Sequence, residues 1–250
     1  MKLSIVIPAH NEEKRIKKTL TSYCKYFGLL KKEKNTETDF IVVLNGCTDN
    51  TKAIVTNIQK ENSNIKIIGL QESGKGLAVT AGFKEAAKEN NDFIGFVDAD
   101  MATYPQYFYQ LIKKSENKDV IFASRYMKKS KIIPKRPFIK TWGRELIFNP
   151  LVRMLMGIGF RDFQCGAKVF RPHVIKEILP HITMKDWAFD VELLYLSKKH
   201  GFSFKEIPTI WYDRAGSKFD MIRAGSKMIG SIIKLRFKHS KVANLLCKNK

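Results

Sequence analysis

Acid is what this chain is short of. Its 250 residues hold 24 Asp and Glu against 45 Lys and Arg, a formal net charge of +21. Such an imbalance favours an anionic partner: nucleic acid, a phosphorylated substrate or an acidic membrane surface. Cysteine is scarce and unpatterned. Cys24, Cys47, Cys165 and Cys247 form no C-x-x-C pair, which argues against a zinc site or a disulfide framework and for reduced thiols in a cytosolic protein. No apolar run reaches the ~18 residues of a membrane-spanning helix. The most apolar long segment, Leu146 to Phe160, is interrupted by Asn149, Pro150 and Arg153. The start, Met1-Lys2-Leu3-Ser4, runs straight into a strand pattern, so no signal peptide is expected. Also missing are a Walker loop and a G-x-G-x-x-G after the first strand, which disfavours a dinucleotide cofactor. His10, His173, His181, His200 and His239 share no ligand spacing and read as surface or capping residues.

What is present is a regular alternation. Apolar runs at Leu3–Ala9, Phe40–Leu44, Ile65–Leu70, Phe93–Val97 and Val120–Ala123 read as buried strands. Helical patterns lie between them: Ile16, Leu20 and Tyr23 facing inward, a helix ending near Asn62, another through Ala78, Ala81, Phe83 and Ala86, and one around 104–116. Residues 28–38, rich in Lys, Glu, Asn and Thr, read as an exposed loop. The repeat predicts an α/β fold, a mostly parallel central sheet with helices on both faces. After Ser124 the regularity ends. A helix is expected from about Asp186 to Lys199, a strand at Phe204–Ile207 and a helix from Asp220 to about Phe237. The expected division is a domain over 1–218 and a basic amphipathic helix and tail over 219–250.

The fourth strand ends in Asp98-Ala99-Asp100. Ligands of open α/β sheets bind beyond the carboxyl ends of strands, and residues i and i+2 of an extended chain share a side. Both carboxylates can therefore face one divalent cation, as Mg²⁺ is held by one or two carboxylates plus substrate phosphates. Asn11, Glu12, Asn45 and Asp49 fall on the same edge. Together they offer the donors and acceptors a nucleobase needs. Gly74-Lys75-Gly76 opens a helix, where backbone N–H groups and the lysine suit a phosphate; an ordinary strand-to-helix turn is the other reading. Asp190 and Glu192 read first as N-terminal helix charges. Residues 125–153 and the chain from Met221 onward contribute +8 each, so +16 of the +21 is concentrated in two segments. The second is a basic amphipathic pattern suited to an anionic membrane surface, or to an ordinary packed helix with a solvated face.

Taken together, Ser4-Ile5-Val6-Ile7-Pro8-Ala9-His10-Asn11-Glu12, Gly74-Lys75-Gly76 and Asp98-Ala99-Asp100 resemble family 2 glycosyltransferases of the GT-A fold. Asp98 to Thr103, Ala123-Ser124-Arg125, Asp162 to Phe170, Trp187 to Leu194 and Gly216-Ser217-Lys218 resemble the dolichyl-phosphate β-glucosyltransferase branch. The resemblance spans about residues 3–219. It implies inverting transfer of a hexose, glucose first, from a UDP-sugar to dolichyl or polyprenyl phosphate at the cytosolic face of a membrane. The protein would then be cytoplasmic and peripheral. It also implies roles. Pro8, Ala9, Asn11, Glu12, Asn45, Asp49, Lys75, Asp98 and Asp190 would bind the nucleotide-sugar, and Asp98 and Asp100 would hold Mg²⁺ or Mn²⁺. A phosphomonoester acceptor is already largely dianionic at neutral pH and needs no base. It needs cations, and Arg125, Arg144, Arg214 and Lys218, with Gln164, are the candidates. Asp162, Gln164, Asp190 and Glu192 would orient those cations or bind the donor sugar.

Three departures stand out. Asn45 occupies a place where the family often has aspartate, so its side-chain oxygen would accept a base N–H without charge. Met101 replaces a commoner glycine. Eukaryotic members carry an N-terminal anchor and none is read here, so membrane attachment is expected from the basic segments. Two alternatives remain: a family 2 transferase acting on a hydroxyl acceptor, and a nucleic-acid-binding protein. The second lacks interleaved aromatics and leaves Asp98 and Asp100 unexplained, so no nucleic-acid partner is expected.

Overall fold

The computed structural model describes residues 1–134, 149–186, 188–213 and 221–238, with side chains of the last segment from Gly230 onward. The first half alternates as expected: β1 (Lys2–Ala9), α1 (Ile16–Lys34), β2 (Glu37–Asn45), α2 (Thr51–Glu61), β3 (Ile65–Leu70), α3 (Lys75–Ala86), β4 (Phe93–Val97), α4 (Pro105–Lys113) and β5 (Val120–Ser124). Beyond it lie β6 (Lys131–Ile133), α5 (Asn149–Met156), β7 (Ala167–Phe170), α6 (Pro172–Ile178), a 3₁₀ turn (Leu179–His181), α7 (Phe189–Lys199), β8 (Phe204–Pro208), β9 (Ile210–Tyr212) and α8 (Met221–Lys238).

Seven strands form one sheet in the order β3-β2-β1-β4-β7-β5-β8, and β6 pairs with β9 in a second, two-stranded sheet. All pairs of the large sheet are parallel except those of β7, which runs antiparallel between β4 and β5. The order reverses beside β1 and β4, the switch point at which such sheets bind ligands. The reversed β7 matters for the site. Its first residue, Ala167, pairs with Val97 at the end of β4, so the residues just before it arrive at the carboxyl edge beside Asp98.

Each face of the sheet carries a core. One includes Ile16, Leu20, Tyr23, Phe27, Val55, Ile58, Phe108 and Leu111 from α1, α2 and α4. The other includes Val79 and Phe83 of α3, Val152 of α5, Val174 of α6, Leu193 of α7 and Ile232 and Leu235 of α8. At Gly82 a Cβ would lie 2.3 Å from Val6 Cγ1. The missing side chain lets α3 lie directly on β1, which sets where its first residue, Lys75, points.

One expectation is corrected. Residues 28–34 are the end of α1, not loop. Phe27 and Leu30 continue the buried stripe of Ile16, Leu20 and Tyr23, and lysine and glutamate are good helix formers on an exposed face. The helix ends at Asn35, whose φ of 48° is a left-handed stop. At the other terminus, Ile232 and Leu235 of α8 are buried in the same core as Val152 and Phe163. The described end of this helix is therefore docked on the domain.

Met101 has φ 60° and is 3% exposed. A left-handed backbone explains why glycine is common there; it costs a bulky residue about 1 kcal/mol. A buried methionine is worth more, about 2–5 kcal/mol against truncation. Packing wins, so Met101→Gly should lower stability despite relaxing the backbone. A urea unfolding midpoint equal to or above wild type would contradict this.

Candidate active site

The site is built at the carboxyl ends of β1, β4 and β5, the start of α3, the turn before β7 and the first turn of α7. Asp98 follows β4 directly, and its N–H donates to the Gly166 carbonyl at 3.0 Å. A Cβ on Gly166 would stand 1.8 Å from Asp98 Oδ2. The carboxylate thus rests against bare backbone. The loop around Asp100 is pinned from α1: Thr19 Oγ1 donates to the Ala99 carbonyl at 2.7 Å and Tyr23 Oη to the Thr103 carbonyl at 3.0 Å. Asp100 Oδ1 accepts the Ala102 N–H at 2.9 Å. Burial, reinforced by the neighbouring Asp98 charge, pushes the Asp100 carboxyl up to about 6.

Lys75 joins this pair to a buried chain of charges. Its Nζ lies 2.9 Å from Asp98 Oδ1 and 3.0 Å from Asp190 Oδ2. Asp190 Oδ1 accepts in turn from Lys168 Nζ at 2.5 Å, and Lys168 Nζ also donates to the Cys165 carbonyl at 2.8 Å. Lys168 is fully buried and Asp190 is 1% exposed. Both ammonium groups lie over the Phe96 ring, 5.3 Å away for Lys75 and 5.2 Å for Lys168. Burial alone would lower the Lys75 pKa, but Asp190 and Asp98 outweigh it and hold it above its ordinary value. Burial likewise works against ionised Asp190, yet Lys168 and Lys75 bring its pKa below the usual carboxylate range. Counting Asp98, Asp100 and Asp190 against Lys75 and Lys168, the ionised cluster carries one uncompensated negative charge at the open end. Asp98 and Asp100 form that end, and their mutual repulsion is the feature a divalent cation would relieve. Among the described residues no group of three His, Cys, Asp or Glu could hold a metal. A cation here would therefore rely on two carboxylates and on ligand oxygens, which suits Mg²⁺ or Mn²⁺.

Several residues expected at the ligand make bonds within the protein. The N–H groups of Gly76 and Leu77 both donate to the Lys185 carbonyl, at 2.9 and 3.3 Å. The turn is thus no open phosphate cradle. Gly76 is glycine because a Cβ there would lie 2.3 Å from the Met184 carbonyl oxygen. Glu192 accepts from the N–H groups of Thr183 and Met184 at 3.0 and 2.7 Å and fixes that same loop. Asn11, with φ 53°, accepts from the N–H groups of Thr48 and Asp49 at 2.8 and 3.3 Å. Glu12 pairs with Arg15 through two bonds of 2.6 and 2.7 Å. Asp49 accepts from Thr51 N–H, Thr51 Oγ1 and Glu13 N–H at 2.9, 2.5 and 3.2 Å. These bonds tie the loops after β1 and β2 to each other. The Ala9 carbonyl accepts the Cys47 thiol at 3.2 Å, and Pro8 is half-buried beside it. Asn45 is 2% exposed, and its side-chain oxygen is buried with no hydrogen-bond partner among the described residues.

Arg125 also differs from expectation. Its backbone N–H and Nε donate to Asp162 Oδ2 at 3.0 and 2.7 Å, and Nη2 donates to Oδ1 at 2.8 Å. The guanidinium lies 5.0 Å over Trp211. With side chains 2% and 1% exposed, the pair is a buried clamp joining the end of β5 to the turn before β7. It is not an open phosphate receptor. Gln164 lies in the clamped turn, its N–H donating to Asp162 Oδ1 at 3.1 Å. Arg144, Arg214, Lys218 and Trp187 lie outside the described residues.

The Glycosyl transferase family 2 description matches residues 4–179. The chain belongs to glycosyltransferase family 2. This transferase is 31% identical over 250 residues to a dolichyl-phosphate β-glucosyltransferase of Dictyostelium discoideum, covering 95% of this chain and 74% of that one. A dolichyl-phosphate β-glucosyltransferase of Saccharomyces cerevisiae is also 31% identical, over 257 residues, with 94% and 74% covered. Among solved structures, glucosyl-3-phosphoglycerate synthase from Mycobacterium tuberculosis, crystallised with Mn²⁺, UDP and glucosyl-3-phosphoglycerate, superposes with a TM-score of 0.66 at 18% identity. It covers 94% of this chain and 78% of that one. The family 2 transferase thus has the GT-A fold.

Two residues of this site were not singled out from the sequence. Lys168 had a signal, a lysine inside the apolar strand Ala167–Phe170, where only a paired charge is tolerated. Gly166 had none, because its need arises from Asp98, far away in sequence. Substituting it tests the seat: Gly166→Ala should displace the Asp98 carboxylate and cost at least about 100-fold in turnover. Wild-type rates in that variant would show the seat to be unnecessary.

Proposed function

We propose that this family 2 transferase moves a hexose, glucose first, from a UDP-sugar to a dolichyl or polyprenyl phosphate, with inversion, using Mg²⁺ or Mn²⁺. Asp98 and Asp100 would hold the cation on the donor diphosphate. When bound, it offsets the charge developing on the leaving nucleoside diphosphate. Lys75 keeps Asp98 in place and brings a permanent positive charge to the nucleotide side. Asp190 and Lys168 keep Lys75 there.

The observation that favours a phosphate acceptor over a hydroxyl is the state of Asp190. Its side chain is 1% exposed, with one oxygen against Lys75 Nζ and the other against Lys168 Nζ, so it is poorly placed to take a proton from a nucleophile. A hydroxyl nucleophile needs a general base with a pKa near the working pH; a phosphate dianion does not. The names of the Dictyostelium and yeast relatives agree with that choice. Membrane binding belongs to the same reading. No described helix is long and apolar enough to cross a membrane. On α8, Ile233, Lys234, Arg236, Phe237 and Lys238 are exposed while Ile232 and Leu235 face the core. A basic, partly apolar outer face suits peripheral attachment to an anionic leaflet.

The test is a panel of UDP- and GDP-sugars assayed against polyprenyl phosphate and polyprenol, with Mg²⁺, with Mn²⁺ and with chelator. The proposal expects product from UDP-glucose and the phosphate only, lost on chelation. Equal transfer to polyprenol or to a glycan hydroxyl would establish the other family 2 reading.

A further inference from the structure

We propose that His10 is the residue that reads the base of the nucleotide, by accepting the ring N–H of a uracil- or guanine-type base. The inference rests on the nucleotide-sugar reading above and names a determinant within that site. His10 is exposed, follows β1 at the switch point, and its Nδ1 lies 2.6 Å from the main-chain oxygen of Asn45 at the end of β2. A carbonyl oxygen only accepts, so Nδ1 carries the proton. In the neutral ring Nε2 is then left with its lone pair. The ring is anchored by one nitrogen across the crevice between the two strand ends and presents an acceptor with the other.

Elimination strengthens the assignment. The other side-chain acceptors that the sequence places on this part of the edge are hydrogen-bonded to the protein or buried. The Asn11 side-chain oxygen accepts two backbone N–H groups. Glu12 is paired with Arg15 through both oxygens. Asp49 accepts three bonds. The Asn45 side-chain oxygen is buried, and its main-chain oxygen is the His10 anchor. Among these residues, His10 is exposed and has its ring orientated by the Nδ1 bond. Uracil and guanine carry a donor N–H in the ring at their pairing edge, whereas cytosine and adenine carry an acceptor nitrogen. A lone pair held at that point favours the first pair and leaves the second facing another acceptor, an unpaired and disfavoured contact.

Two asparagine-type replacements separate the ring's two nitrogens. His10→Asn places an amide near the Nδ1 position, retaining the donor to Asn45 and deleting Nε2. His10→Gln reaches the Nε2 position and retains an acceptor. Binding of UDP, GDP, CDP and ADP, each with Mg²⁺, is measured by titration calorimetry on the full chain, with thermal unfolding to verify that each variant is folded. Wild type should prefer UDP or GDP over CDP and ADP. His10→Asn should weaken the preferred nucleotide about three- to tenfold and leave CDP and ADP unchanged, while His10→Gln should retain most of the preference. An unchanged preference in His10→Asn, or an equal loss in both variants, overturns the role of His10 and leaves the transferase reading standing. Failure of the wild type to bind any of the four overturns both.

Discussion

Asp100→Asn is expected to abolish turnover while making the metal-free protein more stable at neutral pH. The two effects have one cause. Asp98 and Asp100 are held close together, and the burial of Asp100 beside Asp98 raises its carboxyl to about 6. An isolated aspartate titrates near ~3.9. A folded-state value above the unfolded one means that ionised Asp100 destabilises the empty fold. The loss sets in as pH rises above the unfolded value and is complete above the folded one. Asparagine removes the charge and keeps an oxygen for the Ala102 N–H. Unfolding in chelator should therefore show Asp100→Asn about 1–2 kcal/mol above wild type at pH 7.5 and level with it at pH 4. Activity should move the other way, falling by at least about 100-fold, since the proposed cation site would lose one of its two carboxylates. A variant that keeps turnover would remove Asp100 from the proposed metal site. A variant less stable than wild type at pH 7.5 would show that the carboxylate braces the loop instead of straining it.

Arg125→Ala is expected to cost about 3–5 kcal/mol of stability, because it leaves Asp162 ionised and buried without its partner. The sequence makes Arg125 a candidate acceptor cation, a role whose signature is a raised KM for the lipid phosphate. The structure changes the measurement that matters. The guanidinium is spent on Asp162, so the primary effect is on the unfolding midpoint in urea. Arg125→Ala with Asp162→Ala should recover part of the loss, whereas two separate roles would make the losses add. Burial opposes the charge on Asp162, but Arg125 prevails and its folded pKa is lowered. The clamp's contribution is therefore present above the unfolded carboxylate value of ~3.9 and is lost as pH falls through the lowered folded value. An Arg125→Ala protein with wild-type stability and a selectively raised KM for polyprenyl phosphate would restore the original assignment.

Local patterns were legible for a physical reason. A strand of the length of β4, apolar throughout and ending in two acids, carries its burial and its edge in five residues plus three. The helix over 28–34 was misread because charged residues on a solvated helix resemble a loop in composition; the deciding contacts, Phe27 and Leu30 on the sheet, are tertiary. The edge residues Asn11, Glu12 and Asp49 show the same ambiguity at the site. A polar group beyond a strand end can serve a ligand or the N–H groups of the neighbouring loop, and both uses need the same residue types. Here all three make bonds within the protein.

The sequence by itself determined the α/β alternation, the family, and the position of Asp98 and Asp100 at the mouth of the sheet. Each of these follows from short-range periodicity or from motifs contained in a few consecutive residues. Tertiary structure alone decided which charges meet. It placed Lys75, Asp190 and Lys168 in one buried chain, seated Asp98 on Gly166, closed Arg125 on Asp162 and left His10 exposed at the strand ends. The reason is the reversed β7 and the close approach of α3 at Gly82. They bring residues from four distant parts of the chain to one edge, and ion pairing in a buried setting depends on distance in space, which no sequence spacing encodes.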